Sequence, residues 1–198
     1  MRGTKFGLQG WQIVGFSALT VGSIVSVIWL FHGIDEQGMR MAIRATGRTS
    51  TILFLSAFVA SSLRKLWSTP LSAWLLKNRR YLGISMALSH SYHAIALFGL
   101  WFVTSGAAPH LDPLGTFGYV LLIAMTVTSF ERPASWLGKR GWKILHTTGM
   151  HFFWLGFLFE YSFKLPKSML IYSPFVILLV LAMVLRLAAL RKPRKLAT

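Results

Sequence analysis

Apolar residues fall in long runs separated by short basic or polar segments. An α-helix rises about 1.5 Å per residue, so roughly 20 apolar residues cross the ~30 Å hydrocarbon core of a bilayer. Six runs fit that scale: residues 11–31, 47–63, 81–103, 114–130, 142–163 and 168–190. The second is short and lies between Arg48 and Arg64, whose charged heads must snorkel to the interface. The fifth holds two His and ends near Glu160; the sixth is interrupted by Arg186. By hydropathy the second and fifth are the weakest. The pattern predicts an all-α polytopic membrane protein, a bundle of six transmembrane helices. Arg2 and Lys5 ahead of the first run look like a signal peptide's basic start. That run is too long for a signal core, and no small-residue cleavage site follows it, so it reads as a retained first span.

Composition supports the membrane assignment. Of 198 residues, 54% are hydrophobic and 13% charged, against about 25% charged in a soluble domain. This excludes intrinsic disorder, which needs low hydrophobicity. Lys and Arg number 21 against 5 acids, a formal charge of +16. No water-soluble body stands behind that charge, which argues against a nucleic-acid partner. The charge sorts by topology instead. Sixteen of the 21 basic residues fall on one side of the six runs; Arg40, Arg44, Arg48, Lys164 and Lys167 fall on the other. The positive-inside rule then places both termini in the cytoplasm, with lipid headgroups as the partner of the basic loops. Asp35, Glu36, Asp112 and Glu160 lie on the opposite side.

Cysteine is absent, which removes disulfides, thiolate nucleophiles, iron–sulfur ligation and covalent haem attachment. Metal chemistry is left to His, carboxylates, Met and Tyr. His32 and His110 lie in loops, whereas His90, His93, His146 and His151 lie within predicted spans. Ionisable residues at membrane depth face the bundle interior or a functional site. Helical rise puts His90 about 13 Å and His93 about 18 Å in from the cytoplasmic start of their span. His146 lies about 6 Å and His151 about 13 Å into the fifth, which runs parallel to the third. His90 and His93 share one helix face, while His146 and His151 point about 140° apart. Three readings follow: paired axial ligands for a b-type haem, interhelical hydrogen bonds, or a proton path in a small proton-coupled transporter or channel without haem.

Four stretches, in order, resemble a known family. Arg79-Arg80-Tyr81-Leu82-Gly83-Ile84 with His93 is similar to an R-R-x-L-G-L…H signature. Thr46-Gly47-Arg48-Thr49 resembles the T-G-R-T opening of the second span, and Thr128-Ser129 the T-S closing the fourth. Leu137-Gly138-Lys139-Arg140, Trp142 and Leu145-His146 resemble L-G-K-R-x-W-x-x-L-H at the start of the fifth. Together they resemble the haem-binding membrane subunits of the periplasmic methionine sulfoxide reductase system, within the ferric reductase-like transmembrane family. The resemblance implies one such domain over 1–198 and one or two b haems ligated by His93 and His146. It implies electrons drawn from a cytoplasmic flavin (FMN, through a flavin reductase) or a quinol, and passed to a periplasmic molybdenum-cofactor reductase. The chain is then an electron-transfer subunit of an oxidoreductase, not a complete enzyme; a stand-alone ferric reductase-like protein with another acceptor is the neighbouring reading. Arg79, Arg80 and Arg48 sit at the membrane edges, where they serve either as positive-inside anchors or as guanidinium forks for haem propionates.

The chain departs from the family at Phe159, thirteen residues after His146, where a second fifth-span His is expected. His90 and His151 sit at matching depth. The depth offsets favour one haem with His151 as the fifth-span iron ligand, leaving His146 as a weaker ligand or a propionate partner.

Overall fold

A computed structural model describes residues 7–104 and 113–192. Among these, six α-helices and no strand occur: α1 (Trp11–His32), α2 (Glu36–Leu66), α3 (Pro70–Val103), α4 (Pro113–Val127), α5 (Glu131–Lys164) and α6 (Met169–Arg191). The all-α bundle is as expected. His110 and Asp112 lie outside the described residues, as do the basic residues at 2, 5, 194 and 195.

Helix ends depart from the apolar runs for identifiable reasons. α2 begins at Glu36, well before residue 47. Asp35 caps it by accepting from the Gly38 backbone N–H at 2.9 Å, and Glu36 pairs with Arg40 at 2.7 Å. α3 begins at Pro70, not 81. Thr69 and Ser72 form a reciprocal capping box, and proline at the first helical position loses no hydrogen bond. The extra length of α3 takes it to about 51 Å, beyond what a bilayer core requires. α5 begins at Glu131 and breaks at Gly138, whose φ of 63° is open to glycine without strain. Its basic first segment thereby parts from the His-bearing segment.

α1, α3 and α6 are long and apolar enough by themselves to cross a membrane. α4 and α5 qualify only as a pair, bent by 108° at the intervening break. α2 falls short because charges crowd both of its ends.

α2 and α3 share the most extensive interface in the bundle. It is built from small and hydroxyl side chains. Thr46, Ser50 and Ser89 are fully buried; Ser50 and Thr49 reach Ser89 Oγ at 2.9 and 2.8 Å. Small residues let helix backbones approach, and hydroxyls tie them across lipid-like surroundings. The main apolar core joins all helices from α2 to α6 through Phe54, Phe58, Met86, Ala87, Leu122, Met125, Phe153 and Leu179. α3 and α5 do not pack backbone against backbone; aromatic side chains fill the space between them.

Candidate functional site

His93 projects from α3 onto α2. Its Nδ1 lies 3.0 Å from the Ile43 carbonyl and 3.1 Å from Thr46 Oγ1. A carbonyl only accepts, so Nδ1 carries the proton. Thr46 has a single hydroxyl proton and gives it to the Ala42 carbonyl at 2.7 Å, turning its lone pairs to the imidazole. Nε2 is then the unprotonated nitrogen, and no described residue hydrogen-bonds to it. Gly47 lies beneath the ring: a Cβ there would stand 3.7 Å from His93 Cε1. Glu160 and Lys164, themselves ion-paired, lie within electrostatic reach of His93 from α5.

His90, one turn back on α3, stacks on His93 with centroids 5.0 Å apart and planes 20° apart. Tyr119 of α4 lies 5.2 Å away, and Phe153 and Phe157 of α5 meet the ring edge-on at 6.5 and 6.2 Å. His90 Nδ1 is buried with no hydrogen-bond partner among the described residues. An unmatched buried polar nitrogen costs about 1–3 kcal/mol and points to a group that would satisfy it.

Where α5 leaves its Gly138 break, His146 stacks on Trp142 at 4.3 Å, and its Nε2 meets Thr128 Oγ1 at 3.1 Å. Thr128 donates to the Ala124 carbonyl at 2.7 Å, so it accepts from His146 Nε2–H. Trp142 Nε1 fixes the same turn by donating to the Thr128 carbonyl at 2.9 Å. His151 donates from Nδ1 to the Thr147 carbonyl at 2.7 Å, and no described residue hydrogen-bonds to its Nε2. Its ring stands edge-on to Phe58 at 6.0 Å.

The arginines divide. Arg80 of α3 lies over the Phe130 ring at 5.2 Å, and Phe130 stacks on Trp11 of α1 at 6.1 Å, so Phe130 ties the α4–α5 turn to both α3 and α1. Arg79 is half-buried, within electrostatic reach of His146 and Arg186. Arg186 lies over Phe58 at 4.3 Å and donates to the Phe58 carbonyl at 3.1 Å. The ion pairs of the described residues use Glu36 and Glu160, leaving Arg79 and Arg186 without a carboxylate. Arg48 lies 6.0 Å from the Tyr172 ring, at the Glu160 end.

The bundle thus brings His90 to His93 and Arg79 towards His146. It gathers no group of three or more metal-ligating side chains among the described residues. Phe159 is exposed, its ring tilted against Phe163 at 4.4 Å. Three contributors carry little signal along the chain. Arg186 reads as a basic break in an apolar run. Thr46 and Thr128 are letters of T-G and T-S steps, yet each precedes its histidine's helix and sits against an imidazole; a hydroxyl in such a step beside a span is the available signal.

Comparison with known proteins agrees with these motifs. Over 144 residues the chain is 30% identical to the protein-methionine-sulfoxide reductase heme-binding subunit MsrQ of Cronobacter sakazakii, covering 65% of this chain and 69% of the relative. The MsrQ subunits of Salmonella newport and Salmonella dublin are 30% identical over 145 residues, with the same shares covered. No family model matches the chain, and no solved structure does. On this identity and coverage, together with a helical bundle whose apolar helices suit a membrane, the chain belongs to the MsrQ family of protein-methionine-sulfoxide reductase heme-binding subunits.

Proposed function

We propose that this chain is a b-haem membrane subunit that relays electrons across the bacterial inner membrane. The donor is a cytoplasmic flavin (FMN) or quinol, and the acceptor a periplasmic molybdenum-cofactor reductase of protein methionine sulfoxide. The reading takes 1–198 as one six-span domain with both termini inside. Relatives named as haem-binding subunits support the cofactor and the system. The observation that carries the reading is His93: a neutral imidazole at membrane depth, anchored through Nδ1 and offering Nε2.

The residues present suit a haem. His93 and His151 each carry an anchored Nδ1–H, leaving the nitrogen that a haem iron takes. His90 adds a buried nitrogen without a partner. Phe153 and Phe157 of α5 surround the His90 ring with apolar edges, surroundings of the kind that keep water from a macrocycle. Arg79 and Arg186 supply guanidinium donors for propionates at one end, and Arg48 a third at the other. Bound haem would supply a one-electron ferric–ferrous couple. The chain's own share is ligation by its span histidines, closure against water, and neutralisation of the propionate charge. His146 stands in reserve, because its Nε2 is engaged by Thr128.

Absorbance of the detergent-purified full chain tests the reading. A Soret band with sharp α and β bands on reduction is expected; a featureless visible spectrum from a folded chain overturns it. Orientation is tested separately: a periplasm-active reporter fused near residue 112 is expected to be active, and one after residue 198 inactive.

A further inference from the structure

His93 is the only one of the four span histidines whose ring is anchored on a different helix by two acceptors, one of them a side chain. Those acceptors are held as firmly as anything in the bundle. Thr46 is fully buried. Its hydroxyl is spent on Ala42, and its backbone carbonyl receives Thr49 Oγ1 at 3.0 Å and Ser89 Oγ at 3.3 Å. Ser89 lies one turn before His93 on α3, so the same hydroxyl cluster fixes the helix that bears the imidazole and the atoms that orient it. We propose that Thr46, together with the Ile43 carbonyl, is a positioning residue that locks His93 in its Nδ1–H tautomer and aims Nε2 at a metal.

The chemistry follows from donor and acceptor inventories. Free imidazole exchanges its proton between two nitrogens, and only the unprotonated one can ligate a metal. An acceptor at Nδ1 fixes the tautomer, orients the ring and increases the basicity of Nε2. Neither acceptor here can serve the opposite tautomer: the carbonyl has no proton, and the Thr46 proton is committed to Ala42. Gly47 completes the cradle by leaving the Cε1 edge of the ring in ordinary contact distance. The T-G step at residues 46–47 thus reads as two functions in sequence, an acceptor and then a clearance. The metal half of the inference rests on the haem reading; the tautomer half does not.

The experiment therefore has two arms. In the first, ring nitrogens of the ¹⁵N-histidine-labelled full chain are observed by NMR without haem, with His93 assigned by the signal lost in His93→Phe. An Nδ1–H tautomer is expected for His93; an Nε2–H tautomer overturns the proposal whether or not the chain carries haem. In the second, Thr46→Val, Thr46→Ser and Thr51→Val are compared with the parent chain for haem affinity, by transfer to excess apomyoglobin, and for midpoint potential. Thr51 is an equally buried α2 hydroxyl that faces Tyr161 instead of a histidine, at 3.0 Å. Thr46→Val is expected to weaken haem binding about 10- to 100-fold. It should also raise the midpoint by roughly the 59 mV that corresponds to a tenfold change in the reduced-to-oxidised ratio, because a less basic imidazole stabilises ferric iron less. Thr46→Ser is expected to restore both, and Thr51→Val to leave both unchanged. If Thr46→Val and Thr51→Val lower thermal stability alike and neither moves the potential, Thr46 is a packing residue only and the proposal fails. A parent chain that takes up no haem while His93 shows the expected tautomer would refute the haem reading and leave the tautomer lock standing.

Discussion

His93 is held by a threonine of the preceding helix and His146 by one in the turn just before its own helix, at opposite nitrogens. Thr46 faces His93 Nδ1; Thr128 faces His146 Nε2. The surroundings differ in kind as well. His93 sits on the most extensive helix–helix interface of the bundle, over a cluster of buried hydroxyls. His146 sits beside a turn, after a break at Gly138, with a short α4 as its neighbour. Each histidine is thereby committed to one tautomer by an acceptor whose own proton is already used. Spacing along a helix says which histidines can meet a cofactor. Only the hydrogen bond on the far side of the ring says which nitrogen arrives.

The largest expected effect separates these two positions. His93→Ala is expected to remove nearly all haem from the purified chain, read as pyridine haemochrome per polypeptide. Retention of the parent's full haem content with a normal spectrum would remove His93 from the site and put His90, with its unsatisfied Nδ1, first. A smaller effect distinguishes the fifth helix's histidines. The parent is expected to hold one haem per chain, His151→Ala to lose most of it, and His146→Ala to keep most of it. His151 already offers Nε2, whereas His146 must first leave Thr128. Two haems in the parent, or full retention in His151→Ala, would show that the T-S to His146 contact opens readily and that the family motif at His146 carries the ligand.

The helices were legible because apolar runs of membrane length leave little choice of fold. Their ends were less so. α2 extends back to Glu36 because Met39, Ala42 and Thr46 face inward between arginines, and averaging over such a face hides it from hydropathy. α3 extends back to Pro70 through a capping box, a local signal that a search for apolar runs passes over. At the site, the histidines and Arg79 could be picked out because charge or a ring nitrogen at membrane depth is costly. The roles of Thr46, Thr128 and Arg186 could not. A buried hydroxyl is ordinary in a membrane helix, and the pairing of Arg186 with Phe58 joins residues 128 positions apart. Thr46 and Thr128 each contact a histidine in a later helix, which no reading along the chain reveals.

The smallest prediction tests whether the two regions also differ in tolerance. Gly47 and Gly149 both lie inside helices, where replacing glycine by alanine gains about 0.8–1.0 kcal/mol of helix propensity. At Gly47 the added methyl meets only the His93 ring edge, at 3.7 Å, an ordinary contact. At Gly149 it would collide with Met125 Sδ, with Met125 Cε and Cγ also close, at 3.2 and 3.3 Å. Met125 belongs to the main core among Leu121, Leu122 and Phe153, so its side chain has little room to withdraw, and overpacking of this sort costs about 1–3 kcal/mol. Gly47→Ala is therefore expected to raise thermal stability in detergent slightly and leave haem content unchanged. Gly149→Ala is expected to lower stability by a net of roughly 1 kcal/mol. If Gly47→Ala instead reduces haem content, the cradle under His93 is tighter than ordinary contact, and the precision assigned to Thr46 extends to its neighbour. If Gly149→Ala is as stable as the parent, Met125 moves freely, and the region around α4 and the start of α5 is the adaptable half of the bundle, the half able to release His146 from Thr128.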